Sequence, residues 1–399
     1  MKPWIACAFF ALGACTSRQS ANPCQGIVPE NLGESITVEN VPADLTPFAD
    51  AYVGDGTGSV AILASTFPRP RFNAAIFDAA GNVVAARLAQ SADSFHLRIL
   101  PQRSGYQLLT GDTINTARLE TLSPAGDVEA GAELQRALTM SSVIDPRGGS
   151  MVLAVRIIPG APQNLVYPWR LYAHRFDEKG APRHPPVLVA SDLTGSQGII
   201  DLEGAVNTNG RAFAVWAVLT KEVGGPFPIS GAWLSQEGVP ETPFLLGEVQ
   251  HTTNLNAEPL LDGSIAIAAD LAWRYRVRDD GQNRAEDAGW LSSFPRTRIS
   301  PIRGGRAYAV LIGDPFWQDA GFSCQSSVPI SLVSKDGAVC GTITMPVPSD
   351  VSGVCEVTVS SAALGRDGSV VLRTLEKVRD MNGTSGYKSS ARWWPRLLQ

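Results

Sequence analysis

The stretch that decides the fold runs from Gly210 to Gly238. It begins GRAFAVWAVL (residues 210–219), continues after a loop as ISGAWL (residues 229–234) and ends in the turn SQEG (residues 235–238). From residue 212 onward both alternating sets of side chains are apolar, which is typical of an inner β-strand buried on both faces. Glycine takes a positive φ without steric cost, so the closing Gly238 suits a hairpin turn.

The same phrase recurs seven times along the chain. The glycines that open its first long strand are Gly58, Gly105, Gly149, Gly210, Gly263, Gly305 and Gly368. The glycines that close the following hairpin are Gly81, Gly126, Gly180, Gly238, Gly281 and Gly337. Units of roughly 40–60 residues with room for four strands are typical of propeller blades. The sequence therefore predicts an all-β fold, a seven-bladed β-propeller over residues 31–399. Six or eight blades, or a pair of β-sandwiches, remain as alternatives.

The two ends of the repeat region predict how the ring closes. The fourth unit divides into strands at residues 198–206, 211–219, 229–234 and 239–246, whereas the seventh has only residues 395–399 after its third strand. The run ESITVE at residues 34–39 belongs to no unit. We expect it to supply the missing outer strand of the last blade, because closure removes exposed strand edges.

Composition limits the class of protein. The 399 residues carry 33 Lys and Arg against 38 Asp and Glu, a formal net charge of −5. A mildly acidic chain argues against a nucleic-acid partner. Only 18% of residues are charged, while 38 glycines and 28 prolines supply many turns, as an all-β chain requires.

The N-terminus resembles a bacterial lipoprotein signal. Residues 4–12 form an apolar stretch that is too short to span a bilayer, and Leu12-Gly13-Ala14-Cys15 follows it. The resemblance implies cleavage before Cys15 and acylation of that cysteine, by palmitate among other chains, with residues 1–14 removed and residues 15–30 serving as a tether. Thr16 resembles the residue that directs sorting to the outer membrane. An ordinary cleaved signal and an uncleaved anchor are the alternatives.

Four cysteines remain after the signal and the lipid site: Cys24, Cys324, Cys340 and Cys355. An even number beyond an oxidising export step predicts two disulfides. The expected ends of the strands favour Cys324–Cys355 and Cys24–Cys340, with Cys324–Cys340 as the main rival. The spacing fits no zinc site, so no metal is predicted.

No family-specific motif names a reaction. The chain resembles bacterial envelope propeller lipoproteins in general, over residues 30–399, but it lacks the signature pairs of WD, kelch and sialidase-like repeats. The histidines are His96, His174, His184 and His251, and none forms a catalytic or metal pair. We expect His174 to face outward from its strand. The glycine-rich stretch at residues 54–58 precedes a strand instead of a helix, so it predicts no phosphate-binding loop and no cofactor.

Carboxylates at the ends of strands carry the catalytic hypothesis. Asp112, Asp270 and Asp314 follow the second strands of units two, five and six, at the end of the propeller that we call the upper end. Asp93, in the loop between units one and two, is a further candidate. Carboxylates about 5–10 Å apart could cleave a glycosidic bond. The alternative is that Asp simply favours turns.

Aromatic residues of the long upper loops carry the binding hypothesis. They are Tyr167, Trp169, Phe227, Phe316 and Trp317. Exposed aromatics can form a partner surface, but they can equally pack over the ends of the blades. The sequence thus favours a membrane-anchored, non-catalytic protein that binds a protein or glycan partner. A glycoside hydrolase and a structural envelope component are the alternatives.

Overall fold

The computed structural model shows that the repeated phrase folds as a series of antiparallel sheets. The residues that it describes are 22–27, 35–41, 45–46, 51–53, 60–66, 72–78, 82–89, 98–110, 117–135, 137–158, 167–220, 225–250, 254–270, 272–294, 299–302, 305–311, 327–346, 357–364, 368–379, 385–394 and 397–398. Within these ranges no helix is long and apolar enough to cross a membrane.

The described strands form six four-stranded sheets and one five-stranded sheet. The first sheet holds β2 (Leu45–Thr46), β3 (Ala51–Val53), β4 (Val60–Thr66), β5 (Phe72–Phe77) and β6 (Val83–Ala89). The second holds β7 (Arg98–Gln102), β8 (Gly105–Thr110), β9 (Ala117–Leu122) and β10 (Val128–Leu134). The third holds β11 (Thr139–Ile144), β12 (Ser150–Ile157), β13 (Trp169–Phe176) and β14 (Val187–Asp192).

The remaining sheets continue the same order along the chain. The fourth holds β15 (Gln197–Val206), β16 (Ala212–Thr220), β17 (Phe227–Leu234) and β18 (Phe244–Val249). The fifth holds β19 (Asn256–Pro259), β20 (Ile265–Ala269), β21 (Ala272–Val277) and β22 (Ala285–Asp287), and a 3₁₀ helix (Gly289–Ser293) follows. The sixth holds β23 (Ile299–Ile302), β24 (Ala307–Leu311), β25 (Ser327–Ser334) and β26 (Val339–Pro346). The seventh holds β27 (Val357–Leu364), β28 (Val370–Arg379), β29 (Ser385–Trp394) and, from the N-terminus, β1 (Ile36–Val41).

Two predictions about the ends of the chain are confirmed. Strand β1 pairs antiparallel with β29, with Ile36 opposite Trp393, so the N-terminal run does complete the last sheet. A disulfide joins Cys24 to Cys340, across 316 positions of sequence. The predicted partners Cys324 and Cys355, and the lipid site Cys15, lie outside the described residues.

The fourth sheet confirms three of its four predicted strands. The fourth strand was expected at residues 239–246, but β18 begins at Phe244. The reason is that Pro240 and Pro243 lack the N–H that a ladder needs. Only an isolated bridge between Leu234 and Pro240 forms there, and Val239 is left exposed.

The core is a row of apolar clusters between consecutive sheets. One cluster places Leu109 of the second sheet against Val152 of the third, and another places Leu153 of the third against Trp216 of the fourth. Both faces of β12 are therefore buried, as the two apolar sets of the repeat require. The packed space between these sheets leaves little room for a ligand, so we look for ligand sites at the rim.

Polar side chains join the lower ends of neighbouring sheets, where the first two strands of each sheet are connected by a turn. Gln102 accepts from the N–H of Gly149 (2.8 Å) and donates to its carbonyl (3.2 Å). Asn207 donates to the carbonyl of Gly263 (3.0 Å) in the next sheet. We call these contacts glycine latches. Gly149 has a φ of 89°, and a Cβ there would lie 2.1 Å from the carbonyl oxygen of Phe176, so only glycine fits.

Candidate functional site: a groove between the second and third sheets

A cavity of about 500 Å³ opens at the rim between the second and third sheets. We call it the rim groove. Residues 132–135 at the end of β10 form one wall, and Arg156 of β12 with residues 174–176 of β13 form the other. Pro182 and residues 184–186 cover its lower part. Its volume is within the range of small-molecule sites.

Proline explains why the third sheet leaves this space open. Strand β14 pairs with β13 only as far as Ala173, which lies opposite Val187. The preceding Pro185 and Pro186 have no N–H to donate, so they cannot extend the ladder. The chain instead crosses beside β13 through a bridge from Pro182 to Phe176. The end of β13 is therefore bordered by residues 182–186 in place of a full strand, and its residues 174–176 line the groove.

Arg156 is the cationic group of the rim groove. Its Nη1 donates to Oε1 of Gln135 (2.6 Å), and its Nη2 lies 3.2 Å from Nε2 of His174. Its guanidinium carbon lies 4.5 Å from the centroid of the Tyr172 ring, a cation–π distance. Burial lowers the pKa of Arg156, while Tyr172 acts weakly in the opposite sense. The positive charge is thus half-buried, and its contacts among the described residues are all neutral groups.

His174 is buried, and the expectation that it faces outward is wrong. Its side chain shares a face of β13 with Phe176, whose ring is parallel to it at 6.4 Å, and that face packs toward the second sheet. A guanidinium has only donors, so Nε2 of His174 must accept from Arg156 and the proton of the neutral ring resides on Nδ1. Burial, then the charges of Arg156 and His184, lower the pKa of His174 to about 4.

The opposite face of β13 carries a fully buried arginine, Arg175. Arg175 is 1% exposed and lies 3.5 Å from the carboxylate of Asp145. Its Nη1 donates to the carbonyls of Gly210 (3.1 Å) and Gln236 (3.3 Å) in the fourth sheet. The first of these bonds is another glycine latch.

Asp145 is the compensating charge for that arginine. Burial alone would raise its pKa, but hydrogen bonds from Arg147 and the nearby charge of Arg175 lower it overall. The Oδ2 of Asp145 lies 2.9 Å from Nη2 of Arg147. Among the described residues, Nε and Nη2 of Arg175 have no hydrogen-bond partner, so its charge is stabilised mainly through Asp145 and the carbonyls at Nη1.

The carboxylates predicted for catalysis are tested only at one position. Asp270 ends the turn after β20 with a φ of 52°, and its Oδ2 accepts from Nη2 of Arg274 at 2.8 Å. Asp270 is thus a turn residue, as the alternative to the catalytic hypothesis predicts. Asp93, Asp112 and Asp314 lie outside the described residues. Convergence of these carboxylates stays a prediction.

Some of the aromatics predicted for binding belong to the described residues and others do not. Tyr167 is 7% exposed and Trp169 is 3% exposed, and both pack in the cluster between the third and fourth sheets. The Tyr167 hydroxyl donates to the carbonyl of Ile199 (3.1 Å), and burial raises the pKa of Tyr167 to about 12. These two side chains pack over the sheet ends and offer no surface to a partner. Phe316 and Trp317 lie outside the described residues.

The rim groove was not foreseen from the sequence. Its residues are distant in sequence, because Gln135, Arg156 and His174 come from three strands of two sheets. One signal was present: Arg156 interrupts the apolar pattern near the end of β12, on the face that alternation assigns to Val152 and Ala154. In the part of the chain that the structure describes, no group of three or more His, Cys, Asp or Glu residues could hold a metal ion.

The geometry equips the rim groove to bind rather than to transfer protons. A neutral imidazole bonded to a guanidinium has its acceptor nitrogen occupied, so it is poorly placed as a general base. The exposed prolines Pro182, Pro185 and Pro186 give the groove an apolar surface for the body of a ligand, while Arg156 orients a polar group.

Comparison with known proteins places the chain by its fold. It is an all-β protein of antiparallel sheets, most of them four-stranded, and it is similar in fold to a solved polysaccharide lyase. No protein-family model matches the sequence, and no curated protein matches it either.

Three solved structures illustrate the similarity. The polysaccharide lyase Uly1 is 9% identical with a TM-score of 0.51, covering 92% of this chain and 100% of that one. A puromycin hydrolase is 15% identical with a TM-score of 0.49, over 88% of this chain. The chain spans about half of that hydrolase, 53%. An α-L-arabinanase of Penicillium chrysogenum is 13% identical with a TM-score of 0.43, over 71% of this chain and 94% of that one. At these identities the similarity to Uly1 concerns the fold alone.

Proposed function

We propose that the chain is a lipid-anchored, seven-bladed β-propeller of a bacterial envelope that binds a protein or glycan partner without catalysis, and that the rim groove is the contact site. The single observation that carries the proposal is the groove itself. It combines a preformed cavity, apolar walls and two groups with lowered pKa values, Arg156 and His174. Such a combination favours a ligand site over a packing defect.

Three contacts support ring closure with seven blades. Strand β1 completes the seventh sheet by pairing with β29. Strand β27 of that sheet contacts β3 of the first sheet and β24 of the sixth. The disulfide from Cys24 to Cys340 fastens the N-terminal segment to the outer strand of the sixth sheet. A closed ring of blades leaves only short, protected strand edges.

The lipid anchor rests on the signal at residues 12–15 and agrees with the disulfide, since disulfides persist in oxidising compartments. Expression of the full chain with Cys15→Ser tests the anchor. We expect wild-type protein in the membrane fraction with incorporated palmitate label, and the variant without label and released from the membrane. Equal labelling of both forms would exclude Cys15 as the acylation site.

Capture from the organism's own envelope extract tests the binding role. The bait is the oxidised mature chain, and Ala132→Trp fills the rim groove from β10. The matched control is Val128→Trp, which places the same ring at an exposed position of the same strand, 43% exposed in the native chain. We expect a specific partner that the control retains and the groove variant loses. A partner that both retain would move the contact site elsewhere.

A further variant, Phe316→Ala with Trp317→Ala, distinguishes the rim groove from the upper loops. Loss of the partner in this variant alone would favour the upper end of the propeller. Release of sugars from the extract, abolished by Asp112→Asn, would instead support the glycoside hydrolase.

A further inference from the structure

We propose that the rim groove binds the carboxylate of a small ligand, with Arg156 as the group that recognises it. The inference rests on the proposed function in one respect only, that the groove is a ligand site. It adds the chemical class of the ligand and the residue that selects it.

Most of the other half-buried or buried arginines among the described residues contact a carboxylate: Arg98 with Glu203, Arg147 and Arg175 with Asp145, Arg211 with Glu241 and Asp279, and Arg276 with Asp262. Arg156 differs, because its contacts are an amide, an imidazole and a phenol ring. A half-buried cation without an anion is costly, and Arg156 lines a cavity that could supply one from outside the protein.

The groups around Arg156 keep that charge uncompensated. His174 is neutral at physiological pH and accepts one N–H without supplying negative charge. Glu133 is the carboxylate of the groove wall, but it lies on the exposed side of β10, directly opposite Arg118 of β9. The contacts of Arg156 among the described residues do not include Glu133. His184 donates from Nδ1 to the carbonyl of Pro185 (2.8 Å), so its ring brings no negative charge either.

The guanidinium retains the donors that a carboxylate needs. It has five N–H groups in a fixed fork, and Gln135 and His174 take one each. Among the described residues, Nε of Arg156 has no hydrogen-bond partner. The contact with the Tyr172 ring fixes the plane of the fork. Planar forks of this kind bind carboxylates through two parallel bonds, which gives both strength and orientation.

The size and walls of the groove limit the rest of the ligand. A cavity of about 500 Å³ admits a group of the size of one sugar ring or one amino acid beside the carboxylate. Pro182, Pro185 and Pro186 are exposed and offer it apolar surface, whereas Leu134 and Phe176 are each 2% exposed. The carboxylate could belong to a sugar acid or to the end of a peptide, and the choice between these sources is left to the experiment.

Calorimetric titration of the full oxidised chain at low salt tests the proposal. The probes are glucuronate with glucose as its neutral control, and N-acetylphenylalanine with its amide as control. We expect at least one acid to bind ten-fold or more tightly than its neutral partner, as charge-assisted bonds imply. The acid that binds identifies the source.

The variant pair is Arg156→Met and Arg284→Met. Arg284 lies just before β22 of the fifth sheet, outside the groove, and its side chain is 60% exposed beside Glu286. We expect a loss of ten-fold or more for the first and no change for the second. Equal binding of acids and neutral controls, binding of neither acid, or equal losses in both variants would overturn the proposal.

A measurement on the wild-type chain covers the case in which a variant fails to fold. A bound carboxylate would offset the charge of Arg156 and so raise the pKa of His174, which an NMR titration of its ring follows. An unchanged titration at saturating acid would overturn the proposal. If Ala132→Trp still releases the envelope partner in that case, the groove remains the contact site and only the ligand class is wrong.

Discussion

Arg156 and Arg175 both belong to the third sheet, but they differ in how their positive charges are compensated. Arg175 is fully buried toward the fourth sheet, where Asp145 and two backbone carbonyls stabilise its charge. Arg156 is half-buried toward the second sheet and contacts only neutral groups. The strands that carry them are neighbours, so local sequence does not explain the difference. One arginine is an internal connection between sheets, and the other is available to a ligand.

The comparison teaches that compensation distinguishes structure from function more clearly than burial does. A compensated buried cation stabilises the fold only as long as all of its partners remain. An uncompensated one costs stability in the free protein and recovers it when an anion binds, by linkage between folding and binding. The predictions below follow from this contrast.

The largest effect is expected at the structural arginine. Arg175→Met removes two bonds to buried carbonyls and one partner of Asp145, and should lower the free energy of unfolding by about 4 kcal/mol. Chemical denaturation measures it. Arg147→Met is the matched control, because Arg147 shares Asp145 but is partly exposed, and it should cost about 1 kcal/mol. Equal small losses at both positions would remove Arg175 from the account of stability.

A pH effect is expected at His174. Its pKa is about 4 in the folded chain against an ordinary 6.5, so the unfolded chain binds the extra proton first. Stability should therefore fall as the pH drops from about 6.5 to 4, by about 3 kcal/mol, and this contribution should change no further below pH 4. His174→Gln keeps an acceptor for Arg156 but cannot titrate.

The difference between wild type and His174→Gln isolates this contribution from that of the carboxylates. Denaturation series at pH 7, 6, 5 and 4 should show the two curves approaching or crossing as the pH falls. Parallel curves over the whole range would mean that His174 titrates normally.

A smaller effect is expected at the glycine latch between the second and third sheets. Gln102→Leu leaves the N–H of Gly149 without its acceptor in a buried site, at a cost of about 2 kcal/mol. Gln135→Leu removes the acceptor of Arg156 at the exposed wall of the groove and should cost less than about 0.5 kcal/mol. Thermal unfolding of both variants makes the comparison, and the reverse order would contradict it.

A small effect on stability, of either sign, is expected at Arg156 itself. Arg156→Met removes a half-buried charge that has no anionic partner, so the free energy of unfolding should change by less than about 1 kcal/mol, with a gain as readily as a loss. Denaturation beside Arg175→Met measures it under identical conditions. A loss as large as that of Arg175→Met would show that Arg156 is structural too.

Much of the fold could be predicted because glycines mark the turns of each repeat. The glycines at 105, 149, 210, 263, 305 and 368 all have positive φ and precede the expected strands. The pairing of β1 and the disulfide from Cys24 followed from counting strands and assigning their ends. These features depend on local chemistry and on strand order, which a sequence contains.

The site could not be predicted because it depends on packing between sheets. Alternation alone does not say which face of β13 meets the second sheet, so His174 was placed outside. Loop position alone does not say whether Tyr167 turns inward, and it packs in the core. The start of β18 failed for a different reason, since Pro240 and Pro243 delay the ladder.

The most direct test of the rim groove is a crystal structure of the oxidised chain grown with the acid that binds in titration, at low ionic strength. The account predicts its carboxylate within hydrogen-bond distance of the Arg156 guanidinium, with His174 still accepting from Nη2 and the ligand body against the exposed prolines of the groove. An acid bound at the upper end of the propeller, or a groove that stays without it at saturating concentration, would contradict the account.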